Sequence, residues 1–367
     1  MAFIVRTYML SNRVAESDCG SPGPVLYLYN NNFPSQMYCD YLPQKATDQG
    51  TWIKMLADDI YTIYRDKTKP VSLSFYIHGF DTSATDARIG HVWYGSRLYA
   101  NGLPQGLVVG VSWPSNCDLP SSGRTNAEAS YALFSAVLET IPLVKAALTN
   151  KYGANAPALN TSIVCHSMGN YLMSTTLGDG NVPNYQGAVD WVLMLAPDVD
   201  YSIFTQNSSV KAQGEAISQM ANGLVVVFWS LNDEVLEADE YAGDWYVLGY
   251  RGPQQPISNK ITNVDFANCN NAATYDKGLP YVPANYGSTT IVHSSYRFVP
   301  FLVVLEATIL GLEATQLTSG TVKETLKEFL GPDLDVSAQL LSGPDDQKML
   351  EAYLTPVIRG RSRVRAR

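Results

Sequence analysis

A chain of 367 residues, 46% of them apolar, has enough nonpolar mass for a large buried core and enough length for one to three domains. The net charge of −9 conceals five arginines in the last nine residues (Arg359, Arg361, Arg363, Arg365 and Arg367), without which the remainder stands at −14. So acidic a body argues against nucleic acid as a partner, and the basic end reads as a solvated tail. No apolar run reaches the roughly 18 residues of a membrane span, and Met1-Ala-Phe-Ile-Val-Arg-Thr7 lacks a basic region followed by a long apolar one, so a cytoplasmic location is expected.

The five cysteines, Cys19, Cys39, Cys117, Cys165 and Cys269, are odd in number and far apart, with no CxxC pair. Neither a disulfide framework nor a zinc knuckle is expected; reduced thiols fit, with Cys19 and Cys39 the one pair worth testing.

In chain order, Ala2 to Ser11 and Pro24 to Tyr29 read as opening strands joined by a Gly/Pro/Ser turn. A helix from about Thr51 to Arg65 would carry Ile53, Leu56, Ile60 and Ile63 on one face. Val71 to Ile77 is a strand running into His78-Gly79-Phe80. A helix near Thr85 to Ala100 follows, in which His91 is expected half exposed, then strand Gly106 to Trp113 and a long helix from about Asn126 to Asn150. The stretch Thr161 to Asn170 reads as a buried strand turning sharply into a helix. Strand Asp190 to Leu195, a helix up to Ala221, and strands Leu224 to Trp229 and Thr262 to Phe266 complete the alternation.

Near-continuous apolar strands separated by helical patterns indicate an α/β fold with a mostly parallel sheet covered on both faces. In such sheets ligands sit at the C-terminal strand ends, and His78, Trp113, Ser167, Asp198 and Asp233 all fall just past them. Two irregular stretches, Glu237 to Lys260 and Asn268 to Val292, are long enough to build pocket walls. After His293 the pattern is helical, with Tyr296 to Thr315 strongly apolar and Thr321 to Leu330 amphipathic.

The corner at Cys165-His166-Ser167-Met168-Gly169 matches the nucleophile elbow G-x-S-x-G, with Cys165 in place of the first glycine. A serine hydroxyl is a poor nucleophile unless a tight turn presents it between a base and amide donors, and this turn makes Ser167 the candidate. The plainer reading is a strand-to-helix turn in which Ser167 caps the helix. Cys165 lies in the strand before the corner and reads as packing.

The order of the surrounding motifs resembles the α/β-hydrolase superfamily. His78-Gly79-Phe80, Ser112-Trp113-Pro114, His166 to Asn170, Ala196-Pro197-Asp198-Val199-Asp200, Asn232-Asp233 and His293 follow successive strands, and the likeness covers roughly Val71 to Phe298. The combination looks most like bacterial esterase or lipase-like hydrolases of unknown function. The resemblance implies a hydrolase domain over residues 1–315, with a small cap of loop insertions, and a helical extension with a basic tail over 316–367.

It also implies roles. The superfamily's order of nucleophile, acid and histidine leaves only His293 of the four histidines after Ser167. Asp233 holds the usual position of the acid; Asp198 is the alternative, with Asp200 and Glu234 behind it, and either Asp198 or Asp233 could instead cap a helix. The amides of Phe80 and Met168 would receive the oxyanion. His166, next to the nucleophile, is expected to point away from it, and His78 to order its own loop or touch substrate. Trp113, Tyr241, Trp245, Tyr281 and Tyr286 are candidates to line the pocket. The implied activity is cleavage of carboxylic esters, of small-molecule or lipid-like substrates, through an acyl-enzyme and without a cofactor or metal. Thioester or amide hydrolysis and acyl transfer would use the same parts, and a non-catalytic binding module on the same fold is the reading from another class.

Overall fold

The computed structural model describes residues 6–14, 19–30, 45–64, 66–98, 105–182, 184–243, 245–254 and 260–265, and positions 293, 296, 306, 309 and 310. Its strands are β1 (Thr7–Ser11), β2 (Leu26–Asn30), β3 (Lys45–Thr47), β4 (Val71–Ile77), β5 (Gly106–Ser112), β6 (Leu159–His166), β7 (Trp191–Leu195), β8 (Val225–Trp229) and β9 (Ile261–Asp265). They form one sheet in the order β3-β2-β1-β5-β4-β6-β7-β8-β9. β2 is antiparallel to both its neighbours, and every other pairing is parallel.

Every residue of β4 is buried because helices cover both faces of the sheet. Leu73, Phe75 and Ile77 face a large apolar core shared with α1 (Gln49–Ile63), α4 (Tyr131–Tyr152), α5 (Gly169–Gly178) and α6 (Lys211–Met220). The alternate residues look the other way, where Tyr76 meets Tyr94 of α2 (Ala84–Leu98), their ring centroids 4.9 Å apart. On that face Ser72 Oγ and Asn160 Nδ2 both donate to the carbonyl of Leu310, at 2.9 and 2.7 Å. Trp52 illustrates how the first core is closed: it is fully buried, and its indole N–H donates to Leu28 O at 2.8 Å.

Several expectations are corrected. The long helix starting near Asn126 is two helices, α3 (Pro120–Ala129) and α4, broken at Ser130, whose φ of −87° and ψ of 14° leave the helical region. The segment Tyr131–Asn155 is long and apolar enough by composition to cross a membrane, but Leu133, Phe134, Val137, Ile141 and Val144 are in the core. Strand β3 carries no apolar alternation and was not expected. His91 is buried rather than half exposed; it packs on Gly110, where an added Cβ would fall 2.6 Å from the ring, and burial pushes its pKa down to about 4. Cys19 is bonded to Cys117, so the expectation of reduced thiols fails for these two and Cys39 is not the partner of Cys19. The Asn268 to Val292 stretch, with Tyr281 and Tyr286, and everything after residue 310, lie outside the described residues.

The chain steps from β4 to β5 on one side and then to β6 on the other, so the strand order reverses at β4. A crevice opens at such a switch point, beyond the C-terminal ends of the two strands that flank it. The register pairs Ile77 with Cys165, which brings the residues after β4 level with those after β6.

Candidate active site

Ser167 stands at the end of β6 with φ of 51°, one of four non-glycine residues with positive φ among those described. A left-handed backbone at a side-chain-bearing residue costs about 1–3 kcal/mol and persists only where the surroundings enforce it. Here they do. Ser167 N donates to Leu195 O at 2.9 Å, and Ser167 O accepts from Asn170 N at 3.0 Å and from Asp198 N at 3.3 Å. Asn170, fully buried, adds its side-chain amide, donating to Cys165 O at 3.1 Å and to Ser167 O at 3.0 Å. Sequence reasoning gave Asn170 no role, although its place three residues after the serine is where such a staple must sit.

Two glycines let the turn close. A Cβ on Gly169 would fall 2.7 Å from the carbonyls of Ile77 and His78, and one on Gly79 would fall 2.7 Å from Ser167 Cβ and 3.2 Å from its Oγ. The His78-Gly79-Phe80 loop therefore lies directly against the serine. Gly123 of α3 approaches from outside, against Phe80 and the sulfur of Met168. Among the described residues the backbone N–H groups of Phe80 and Met168 have no protein acceptor.

His293 is buried and helical. Its Nδ1 lies 2.8 Å from Oδ2 of the fully buried Asp233. Asp233 follows β8 and precedes α7 (Glu234–Gly243), and its other oxygen accepts from Leu236 N at 3.1 Å, capping that helix. One carboxylate thus contacts both His293 and the start of α7. His166, left out of the site by sequence reasoning, donates from Nε2 to the carbonyl of His293 at 2.8 Å, with the two ring centroids 4.8 Å apart.

Asp198 goes elsewhere. Arg124 Nη2 lies 3.2 Å from each of its oxygens and also pairs with Asp239 of α7. Burial and the neighbouring Asp239 charge raise the Asp198 pKa to about 7 against the opposing pull of Arg124. The Arg124 guanidinium lies 4.8 Å from the ring centroid of Trp245 and 5.9 Å from that of Tyr171. Neither Asp198 nor Asp200 caps a helix: Asp200 accepts from Ser202 N at 2.8 Å in a local turn. Nothing in the sequence pattern marks Arg124 as the partner of two acids more than seventy residues away.

His78 and Trp113 are both buried, and their rings stack with centroids 5.7 Å apart. His78 Nε2 accepts from Trp113 N at 3.2 Å, and Nδ1 lies 2.9 Å from Gly79 O, which fits a neutral ring protonated at Nδ1. The Trp113 indole donates to His78 O at 2.9 Å. Buried Arg13 reaches from the end of β1 to Thr82 O at 2.7 Å and Ser112 Oγ at 2.8 Å, tying the same loop down. These contacts tie His78, Trp113 and Arg13 to the glycine loop. Tyr241, at 79% exposure on α7, does face solvent.

Cys165 is fully buried, with its sulfur 3.8 Å from that of Met173, and burial raises its thiol pKa well above the usual value, which suits packing and not nucleophilic attack. Among the described residues no group of three or more His, Cys, Asp or Glu side chains is placed to hold a metal ion.

No curated protein matches the chain. Among solved structures, Aspergillus fumigatus lipase B aligns with a TM-score of 0.36 and 11% identity over 68% of this chain; the chain spans 56% of that lipase, and so slight a likeness carries no argument about activity. The model of the family described as "Alpha/beta hydrolase of unknown function (DUF900)" matches residues 57–277, more than half the sequence, and the chain belongs to that family of hydrolases.

Proposed function

We propose that the protein is a serine hydrolase that cleaves carboxylic esters through an acyl-enzyme, with Ser167 as nucleophile, His293 as general base and Asp233 as the acid that orients it. The observation that carries this reading is the 2.8 Å contact between His293 Nδ1 and Asp233 Oδ2, together with a serine held at positive φ whose chain neighbour His166 bonds the His293 carbonyl. With Asp233 ionised, the proton of a neutral His293 belongs on Nδ1, which leaves the lone pair of Nε2 to accept the Ser167 proton.

In the proposed sequence, Ser167 Oγ bonds to the ester carbonyl carbon as its proton passes to His293 Nε2. Asp233 stabilises the imidazolium, and the carbonyl oxygen, now an anion, is received by the free N–H groups of Phe80 and Met168. His293 returns the proton to the departing alkoxide, and the alcohol leaves the acyl group on Ser167. A water, deprotonated by the same nitrogen, releases the acid and restores the serine. Apart from the ester and one water, these steps draw on protein groups.

The test is covalent labelling by a fluorophosphonate, with turnover on a panel of acyl esters of graded chain length. Wild type should be labelled and should hydrolyse at least one ester; Ser167→Ala should do neither while remaining folded. Labelling that persists in Ser167→Ala would place the nucleophile elsewhere. Turnover confined to thioesters or amides would keep the triad and change the substrate class.

A further inference from the structure

The residue before the proposed nucleophile has a use that the hydrolytic steps leave unassigned. His166 is the last residue of β6, buried, and paired in register with Leu195 of β7. Strand alternation puts it on the face opposite Ile163 and Cys165, with Asn160 and Ser162. On that face two described positions from later in the chain meet β6: Asn160 Nδ2 donates to Leu310 O at 2.7 Å near one end, and His166 Nε2 donates to His293 O at 2.8 Å at the other. His293 is therefore bonded through its backbone to the strand that bears the serine.

We propose that His166 is a positioning residue, whose Nε2–H bond to the His293 carbonyl sets where the base stands relative to Ser167; this deepens, and rests on, the triad proposed above. Asp233 holds the His293 ring at one atom, Nδ1, and one contact leaves the residue free to swing about it. The second contact, at the backbone carbonyl, removes that freedom. His166 and Ser167 are consecutive in the chain and share one stapled turn, so the anchor and the nucleophile move as a single body. A loop that shifts the serine then carries the base with it. Histidine suits the position because its ring offers an N–H at the right reach, with the two rings 4.8 Å apart.

The experiment compares full-length wild type with His166→Gln, which keeps an N–H donor at similar reach, and His166→Leu, which keeps bulk and removes the donor. The first readout is independent of activity: the low-field NMR signal of the His293 Nδ1 proton, identified by its loss in His293→Gln. The signal should be present in wild type and His166→Gln and be lost or broadened by exchange in His166→Leu. The second is the rate of fluorophosphonate labelling, which should fall about 100-fold in His166→Leu, as expected for a misplaced base, and recover to within about tenfold of wild type in His166→Gln. If the leucine variant does not fold, His166→Asn, whose amide is too short to reach the carbonyl, should show the same losses. A folded His166→Leu with an unchanged ring-proton signal and wild-type labelling overturns the proposal, as does equal loss in the leucine and glutamine variants. An unlabelled wild type with the expected ring-proton pattern leaves the positioning contact standing and removes the ester-hydrolase reading instead.

Discussion

Asp233 divides its carboxylate between two partners: Oδ2 meets His293 Nδ1 at 2.8 Å, and Oδ1 accepts the Leu236 amide at 3.1 Å to cap α7. The residue that would orient the base is thereby fixed by the start of a helix, and its own rotamer is not free to wander.

This division separates activity from stability. Asp233→Asn keeps an oxygen for the cap, since asparagine caps helices as well as aspartate does, but it cannot hold His293 in the same tautomer with the same charge. Turnover should fall by about 10³–10⁴-fold, the scale seen when a triad acid becomes an amide, with the melting temperature little changed. Asp233→Ala should lose the same activity and about 1 kcal/mol of stability more, from the lost cap. Thermal unfolding of both variants beside a steady-state assay checks the pair. A large loss of stability with turnover retained in Asp233→Asn would assign Asp233 to the helix alone.

Gly79 offers a probe of the proposed oxyanion loop that touches no titrating group. An added methyl would fall 2.7 Å from Ser167 Cβ and 3.2 Å from His166 O, so the loop carrying the Phe80 amide must withdraw. Gly79→Ala should lower kcat about 100-fold or more, the scale of removing one oxyanion donor, while the nearby core of Trp113 and His78 keeps the protein folded. Unchanged kcat would mean that the Phe80 amide has no part in the reaction.

The strands that carry the site were legible because they are buried on both faces: Leu224 to Trp229 is a continuous apolar run and Val71 to Ile77 departs from one only at Ser72 and Ser74, as in a covered parallel sheet. Lys45-Ala-Thr47 has no such pattern, since it pairs at the sheet's edge through its backbone, which any side chains permit. Chain order placed Asp233 and His293 as candidates, but it could not show that the His166 side chain would meet the His293 carbonyl, 127 residues away, nor that Arg124 would occupy Asp198. Those contacts depend on where α3 and His293 come to lie, and no local period encodes that. The Cys19–Cys117 bond was missed for the same reason: the two lie 98 residues apart and meet only because β1 pairs with β5.

That disulfide fastens the turn after β1 to the loop that leads into α3, and Gly123 of α3 in turn packs on Phe80 and Met168. Closing a loop of this length restricts the unfolded chain and should contribute about 2–4 kcal/mol. Cys19→Ser and Cys117→Ser should each lower the melting temperature to the same extent, and a dithiol reductant should bring wild type down to the level of the variants without shifting them further. A reductant that leaves the wild-type transition unmoved would count against the bond.

Arg124, Asp198 and Asp239 form a cluster in which Asp198 is buried and the other two are half-buried. Two carboxylates share one guanidinium, and Asp198, desolvated and beside a second acid, has its pKa raised from the usual 3.8 to about 7. Because the folded protein holds this proton more tightly than the unfolded chain, the folded state binds more protons between about pH 4 and pH 7. The stability associated with Asp198 is therefore complete below its unfolded pKa and is lost as pH rises through about 7. Asp198→Asn, which cannot ionise, should flatten this part of the stability profile, so that the variant gains on wild type as pH increases from 5 to 8. Arg124→Met should act in the opposite sense. With the cation gone, ionising Asp198 next to Asp239 becomes harder still, and the cost of leaving buried charge unpaired, about 3–5 kcal/mol, should appear at pH 8 and shrink toward pH 5, where Asp198 carries its proton. Chemical denaturation of wild type and both variants across that range reads the slopes directly. Parallel profiles for wild type and Asp198→Asn would show that Asp198 is ionised throughout and that Arg124 outweighs both burial and Asp239.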